Sequence, residues 1–365
     1  QQTKDRKLRL EVWYPSVNKP SDTAAIYQDI TRTGKPFAIQ GSAARDSAIT
    51  STEQFPLVVL SHGYTGYRTI MFYLGEHLAS HGYVVAAIDH TDSTHADVDI
   101  TKAPFAGFLS TLLNRSRDQH FVLSYFKENN SELQRAVQDE LAAVIGFSMG
   151  GYGAINSVGG CYNFTAQTVA AFTGVTESKA QAQLQQLLNS CAGGQYADYQ
   201  VDPSWKAAIA IAPWGGQHKL FAQTALAKMT VPMMYLAGDL DDISGYAGIK
   251  WLFNETGSAA KYMLTFHHAR HNIAPHPAPT AAMSNELDIG TYHEGSWSIQ
   301  TINEINKHFT LAMLDCHVKT LAEQCAFLAL SPSVTNAEGN DSGWKGFPKR
   351  FATGLSWEYQ QATTK

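Results

Sequence analysis

The stretch that decides the reading is "LAAVIGFSMGGYGAI", Leu141 to Ile155. An apolar run climbs to Gly146, Ser148 stands between Gly146 and Gly150, and a run of small residues follows. A continuous apolar run stopped by glycine reads as a buried parallel strand, and the small-residue run opens a helix. Gly-x-Ser-x-Gly at a strand-to-helix turn is the pattern of a nucleophile elbow. Its glycines permit the tight turn and the close backbone approach that such a serine needs. The same pattern also arises by chance in plain turns, so the flanking sequence must decide.

Working outward, "KLRLEVWYP" (7–15) alternates and ends at Pro15, as a strand does, and 16–54 reads as a long polar loop. "FPLVVLSHG" (55–63) and "YVVAAIDH" (83–90) read as buried strands around a helix in "TIMFYLGEHLASHG" (69–82). A loop over 91–110 and a helix over 115–130 lead to the strand at 140–146. The rhythm then breaks. Residues 159–204 hold two helical patterns, near 165–173 and 177–190, bracketed by Cys161 and Cys191. It resumes with "WKAAIAIAPW" (205–214), "VPMMYLAGD" (231–239), a helix near 243–255 and "AKYMLTFHHA" (260–269). A helix near 298–315 and a tail containing Trp and Gly close the chain. Strands alternating with helices predict an α/β domain over 1–365, with a mostly parallel sheet covered by helices on both faces. The stretch 159–204 is expected to form a helical cap inserted into it.

Composition narrows the function. The 365 residues are 44% hydrophobic and 16% charged, with net charge −5 and no basic block, which argues against a nucleic-acid partner. No apolar stretch approaches the ~18 residues that a transmembrane helix needs. The four cysteines fall in two close pairs, predicting disulfides Cys161–Cys191 and Cys316–Cys325. On one straight helix the second pair would lie ~13.5 Å apart at 1.5 Å per residue. A disulfide needs less than ~7 Å between Cα atoms, so the chain must turn within "HVKTLAEQ". Disulfides and a start at Gln1 fit a processed protein of the periplasm or the exterior. Glycosylation sequons occur at Asn114, Asn129, Asn163, Asn254 and Asn340, usable only if the source glycosylates. Neither H-E-x-x-H nor paired metal-ligand spacing is present, so no metal or organic cofactor is expected.

The chemistry-bearing residues sit just past predicted strands, where α/β sheets gather their ligands. A serine hydroxyl is a weak nucleophile and needs a base; in this architecture the order is serine, acid, histidine. "TFHHARHNIAP" offers His267, His268 and His271. The first two fall at the strand end and read as structural, leaving His271 as the base. The loop "GDLDDISG" offers Asp239, Asp241 and Asp242; Asp241 is favoured as the acid, and Asp239 suits bracing the loop. An oxyanion hole would draw on the backbone N–H of Met149 and of Tyr64. His62 reads as a brace beside it. His90, His95 and His293 read as loop or structural residues, with some of them candidates for lining the site. Tyr64, Met149 and Trp214 are expected to wall a substrate pocket.

The stretch "LSHGYTGYRTIMFYLGEHLASHGYVVAAIDHTDST" (60–94) resembles plasma-type platelet-activating-factor acetylhydrolases within the α/β-hydrolase superfamily. "GFSMGG", "APW", "MTVP" and "GDLDDI" are similar to cutinase-like polyester hydrolases and dienelactone-hydrolase-like proteins. The likeness covers roughly 55–157 and 205–275. It implies the α/β-hydrolase fold and a serine esterase with Ser148, Asp241 and His271 as triad, Tyr64 and Met149 as oxyanion donors, and Trp214 at the substrate. Two departures matter. The acetylhydrolases carry their acid one strand earlier, where this chain has Ala212 or a neighbour and no carboxylate. Compact cutinases lack an insertion like 159–204. The expected substrate is therefore a small to medium carboxylic ester. The alternatives are a polyester, a phthalate-type diester, a lipid ester as in lipases or acetylhydrolases, and, remotely, a non-catalytic binding protein of this fold.

Overall fold

The apolar runs become strands of one sheet in the computed structural model, which describes residues 5–17, 23–49, 53–195, 199–333 and 343–361. In chain order the strands are β1 (Arg9–Trp13), β2 (Ala24–Ile30), β3 (Pro36–Ala44), β4 (Phe55–Ser61), β5 (Val84–Asp89) and β6 (Val137–Phe147). They continue with β7 (Ser190–Cys191), β8 (Gly194–Gln195), β9 (Trp205–Ile211), β10 (Met233–Gly238), β11 (Ala260–Phe266) and β12 (Leu355–Gln361). The main sheet has eight strands in the order β1-β5-β4-β6-β9-β10-β11-β12. The inner strands, β5 to β11, run parallel, while the edge strands β1 and β12 pair antiparallel with their neighbours.

Both faces of this sheet are covered, which is why its inner strands read as unbroken apolar runs. Val58, Leu60, Ile145 and Ile209 face one core, shared with the helices Phe72–Ser80 and Ile299–His317. Leu57, Val59, Val144 and Ala208 face the other, under the helices Phe108–Phe126, Met149–Ser157 and Tyr246–Glu255. This is the α/β-hydrolase fold. Its register sets Ser61 beside Gly146, Phe147 beside Ile211, and Gly238 beside Phe266. The loops that follow β4, β6, β9, β10 and β11 therefore leave the same edge of the sheet.

Three segments depart from the sequence reading. The expected loop at 16–54 contains a hairpin, β2 against β3, with Tyr27 opposite Ile39. Only Ala25 and Tyr27 of β2 are buried, and β3 is half-exposed throughout, so neither strand carries the long apolar run that marked the others. The helix expected from 115 begins at Phe108. The tail contributes β12, whose Trp357 is buried on Phe309 and Tyr262 at ring distances of 5.0 and 5.6 Å.

Both disulfides form, Cys161–Cys191 and Cys316–Cys325, and among the described residues no cysteine is free. The second has Cα atoms 4.8 Å apart because the helix stops at His317 and the chain turns back through Thr320, at φ 56°. Between the cysteines of the first pair lie the helices Ala166–Thr173 and Ser178–Leu188. No helix of the described residues is long and apolar enough to cross a membrane. The sequon Asn340 lies outside the described residues.

Candidate active site

Ser148 follows β6 directly and caps the helix Met149–Ser157 with φ 53° and ψ −114°, a conformation few non-glycine residues adopt. Backbone bonds hold it there: Ser148 N–H donates to Ile211 O at 2.9 Å, and Trp214 N–H donates to Ser148 O at 3.1 Å. The flanking glycines are required by contact. A Cβ on Gly146 would stand 2.1 Å from the carbonyl carbon of Gly150, and one on Gly150 would stand 2.0 Å from Ser61 O. Gln119 Nε2 donates to Gly150 O at 3.1 Å and steadies the turn from the neighbouring helix.

The acid and histidine loops meet at the next strands. His271 Nδ1 lies 2.9 Å from Asp241 Oδ2, and Asp241 Oδ1 accepts the N–H groups of Ser244 at 2.7 Å and Ile243 at 2.9 Å. Burial alone would raise the Asp241 pKa. The His271 hydrogen bond and charge, with the two amide donors, outweigh it and hold the carboxyl below its usual range. The Asp241 side chain is fully enclosed and that of His271 nearly so. Gly238 makes the approach possible, since a Cβ there would stand 2.3 Å from Arg270 O. Asp239 serves elsewhere: it binds His267 Nδ1 at 2.8 Å and the His268 N–H at 2.6 Å. Asp242 pairs with Arg270.

A cavity of about 550 Å³ opens on this edge, and Ser148, His271, Tyr64, Met149 and Trp214 all line it. The loop after β4 passes tightly over the serine, because a Cβ on Gly63 would touch Ser148 Cβ at 3.0 Å. Among the described residues, neither the Tyr64 nor the Met149 backbone N–H has an acceptor. The Tyr64 hydroxyl donates to Ala106 O at 2.5 Å, and its ring meets Phe108 edge-on at 5.2 Å. Trp214 packs on Phe108 at 5.6 Å and on Phe172 at 5.4 Å. Phe172, from the helix Ala166–Thr173, is where the insertion meets this wall. Among the described residues, none from 159–204 lines the cavity itself.

Beneath the loop lies a second Ser-His-Asp chain that sequence reasoning missed. Ser61 Oγ is 2.7 Å from His90 Nε2, His90 Nδ1 is 2.9 Å from Asp118 Oδ2, and Arg6 pairs with the same carboxylate. Ser61 is 0% exposed, against 6% for Ser148, and neither Ser61 nor His90 lines the cavity. Burial, with Arg115 and Arg6 nearby, holds His90 neutral well below its ordinary pKa. His62 accepts the His90 N–H on Nε2 at 3.1 Å, so its Nδ1 carries the proton and donates to Gly63 O at 2.6 Å. This network props the loop that crosses Ser148. Its members carry no motif spacing, being 28 or 29 residues apart, and only the fold joins them. His95 is buried away from the cavity, whereas His293 lines it. Arg32 also lines it, delivered by the unforeseen hairpin.

Comparison with known proteins finds likeness over part of the chain. A model of the family "Platelet-activating factor acetylhydrolase, isoform II" matches residues 37–107, which include Tyr64 and end before Ser148. "Platelet-activating factor acetylhydrolase" of Canis lupus familiaris is 47% identical over 49 residues, 13% of this chain and 11% of that protein. "Cutinase est1" of Thermobifida alba is 33% identical over 99 residues, 27% of this chain and 28% of the cutinase. "Cutinase" of Thermobifida fusca (strain YX) is 33% identical over 99 residues, 26% of its length. The chain thus resembles serine esterases of the α/β-hydrolase superfamily, with each match spanning less than a third of the relative.

Proposed function

We propose that the chain is a carboxylic ester hydrolase acting through an acyl-enzyme on Ser148. The observation that carries this reading is the convergence on one cavity edge of a serine in a strained elbow and a histidine bonded at 2.9 Å to a buried carboxylate. Ser148 Oγ attacks the ester carbonyl while His271 takes its proton. Asp241 fixes the ring with Nδ1–H toward itself, which leaves Nε2 as the base. The N–H groups of Tyr64 and Met149 receive the developing oxyanion. His271 returns the proton to the leaving alcohol, then activates the water that frees the acid.

Tyr64, Met149 and Trp214 form the wall against the acyl or aromatic group, and the substrate is a small to medium ester. The insertion at 159–204 is a helical cap element of a single hydrolase domain, acting on the site through Phe172 and Trp214. The relatives' names keep polyester and lipid-ester hydrolysis as second readings. Two disulfides fit a periplasmic or secreted location. Nitrophenyl esters of increasing acyl length, run beside an aromatic diester and a polyester film, test the reading. Hydrolysis of the short esters with film untouched is the expected pattern. Rapid film erosion moves the substrate to polymers, and inertness on every ester removes the esterase reading in favour of a binding protein.

A further inference from the structure

The cavity carries a cation that the reaction above does not use. Arg32 stands at the turn between β2 and β3 and lines the cavity together with Ser148 and His271. Its turn is rigidly held. Thr31 N–H donates to Lys35 O at 2.8 Å, and Gly34, at φ 84°, closes the turn in the left-handed region that suits glycine. Thr33 donates its N–H at 2.8 Å and its hydroxyl at 2.7 Å to the two oxygens of Asp288, a fully buried residue.

The guanidinium itself is under-satisfied. Nη2 donates to Thr65 Oγ1 at 3.3 Å, and Nε is buried without a partner among the described residues. None of their carboxylates comes within 4.0 Å of it. Asp288, whose charge acts on Arg32 without pairing with it, already has both oxygens engaged by Thr33. Burial lowers the Arg32 pKa, and the influence of Tyr292 and Asp288 only partly offsets that. Burial and the Arg32 charge push neighbouring His95 down to about 4, so it adds no second charge at neutral pH. The other arginine in the lining, Arg270, is neutralised by Asp242. A half-buried cation with a buried, unpartnered Nε and no carboxylate in ion-pair range is poorly compensated, and an arriving anion relieves that through charge-assisted hydrogen bonds. The location is also right for recognition. Thr65 is two residues beyond Gly63, the glycine packed on Ser148, so their Cα atoms are at most ~8 Å apart.

We propose that Arg32 is the anion-recognising residue of this cavity and that the ester it takes carries a free carboxylate, as in a half-ester of a dicarboxylic acid. The proposal rests on the esterase reading, and its test separates the two. Two ester pairs differ only in charge: mono-4-nitrophenyl glutarate against its methyl-capped diester, and 4-acetoxybenzoate against its methyl ester. They place the carboxylate on the acyl or the alcohol half. For each pair the readout is the ratio of kcat/KM, charged over neutral, in wild type, Arg32→Gln and Arg32→Lys. In at least one pair the ratio should fall about 10-fold or more in Arg32→Gln, with Arg32→Lys between. An unchanged ratio in both pairs overturns the role of Arg32 and leaves the esterase standing. If wild type cleaves neither member of either pair, the esterase reading falls instead. Calorimetric binding of glutarate then decides the role of Arg32: binding weakened in Arg32→Gln supports it, and binding equal in the two proteins refutes it. Should Arg32→Gln fail to fold, Arg32→Lys supplies the same comparison.

Discussion

Two regions meet at the cavity and were built under different rules. At the strand-end edge, backbone passes backbone so closely that Gly146, Gly150 and Gly238 cannot carry a side chain. Also at the cavity, the β2–β3 hairpin is half-exposed and holds Arg32 on a turn whose Gly34 has nothing within 4 Å of an added Cβ. The edge is a jigsaw fixed by the main sheet. The hairpin joins the main body through Tyr27 on Phe72 and Trp13, and through Phe37 on Tyr67, and its turn is fixed by polar anchors such as Thr33 on Asp288. Under the proposed reading, the edge carries the chemistry and the hairpin the selection.

The largest expected effect breaks the edge chemically. Asp241→Asn should lower kcat by ~10²–10⁴ with the fold retained, as in triads where the histidine loses its oriented tautomer. Asp239→Asn should cost far less, because that carboxylate only braces His267 and His268. Kinetics of the two variants on a short nitrophenyl ester check this, and the reverse ranking would move the acid to Asp239.

A smaller effect breaks the edge sterically. Gly146→Ala forces a methyl onto Gly150 and should destabilise the protein by about 1–3 kcal/mol or more. Gly34→Ala, with open space but φ 84°, should cost about 1 kcal/mol from backbone strain alone. Urea melts of both would sharpen the contrast, and equal losses would erase it.

The smallest effect concerns Asp29 on β2. Burial, more than repulsion from Asp89, raises its pKa to about 6, while the Ile30 N–H pulls it down. A raised carboxylate pKa means that the folded state prefers the protonated form. The stability this confers is complete below about pH 4 and is lost as pH rises through about 6. Asp29→Asn keeps the short bond to Ile30 N–H in reach and removes the charge. Its Tm relative to wild type should therefore rise between pH 4 and pH 8; a difference independent of pH would contradict the assigned shift.

Legibility followed the same division. The inner strands were readable because each is buried on both faces. The loops bearing Ser148, Asp241 and His271 were readable because they follow such strands. Phe172 meeting Trp214 was half-visible, since its helix was expected but its contact was not. The hairpin reads as loop because Ala, Gly, Gln and Ser dilute its pattern, and nothing in the sequence marks Arg32. Ser61, His90 and Asp118 were individually ordinary, and the joining of β4, β5 and the helix Phe108–Phe126 makes them a network.

That network also provides the sharpest internal rival, a second serine hydrogen-bonded to a histidine and an aspartate. Treatment with a fluorophosphonate followed by peptide mass mapping discriminates directly. The account predicts one adduct, on Ser148, which disappears in Ser148→Ala and is slowed in Asp241→Asn. An adduct on Ser61, or an unmodified wild type that also leaves short nitrophenyl esters intact, would contradict it.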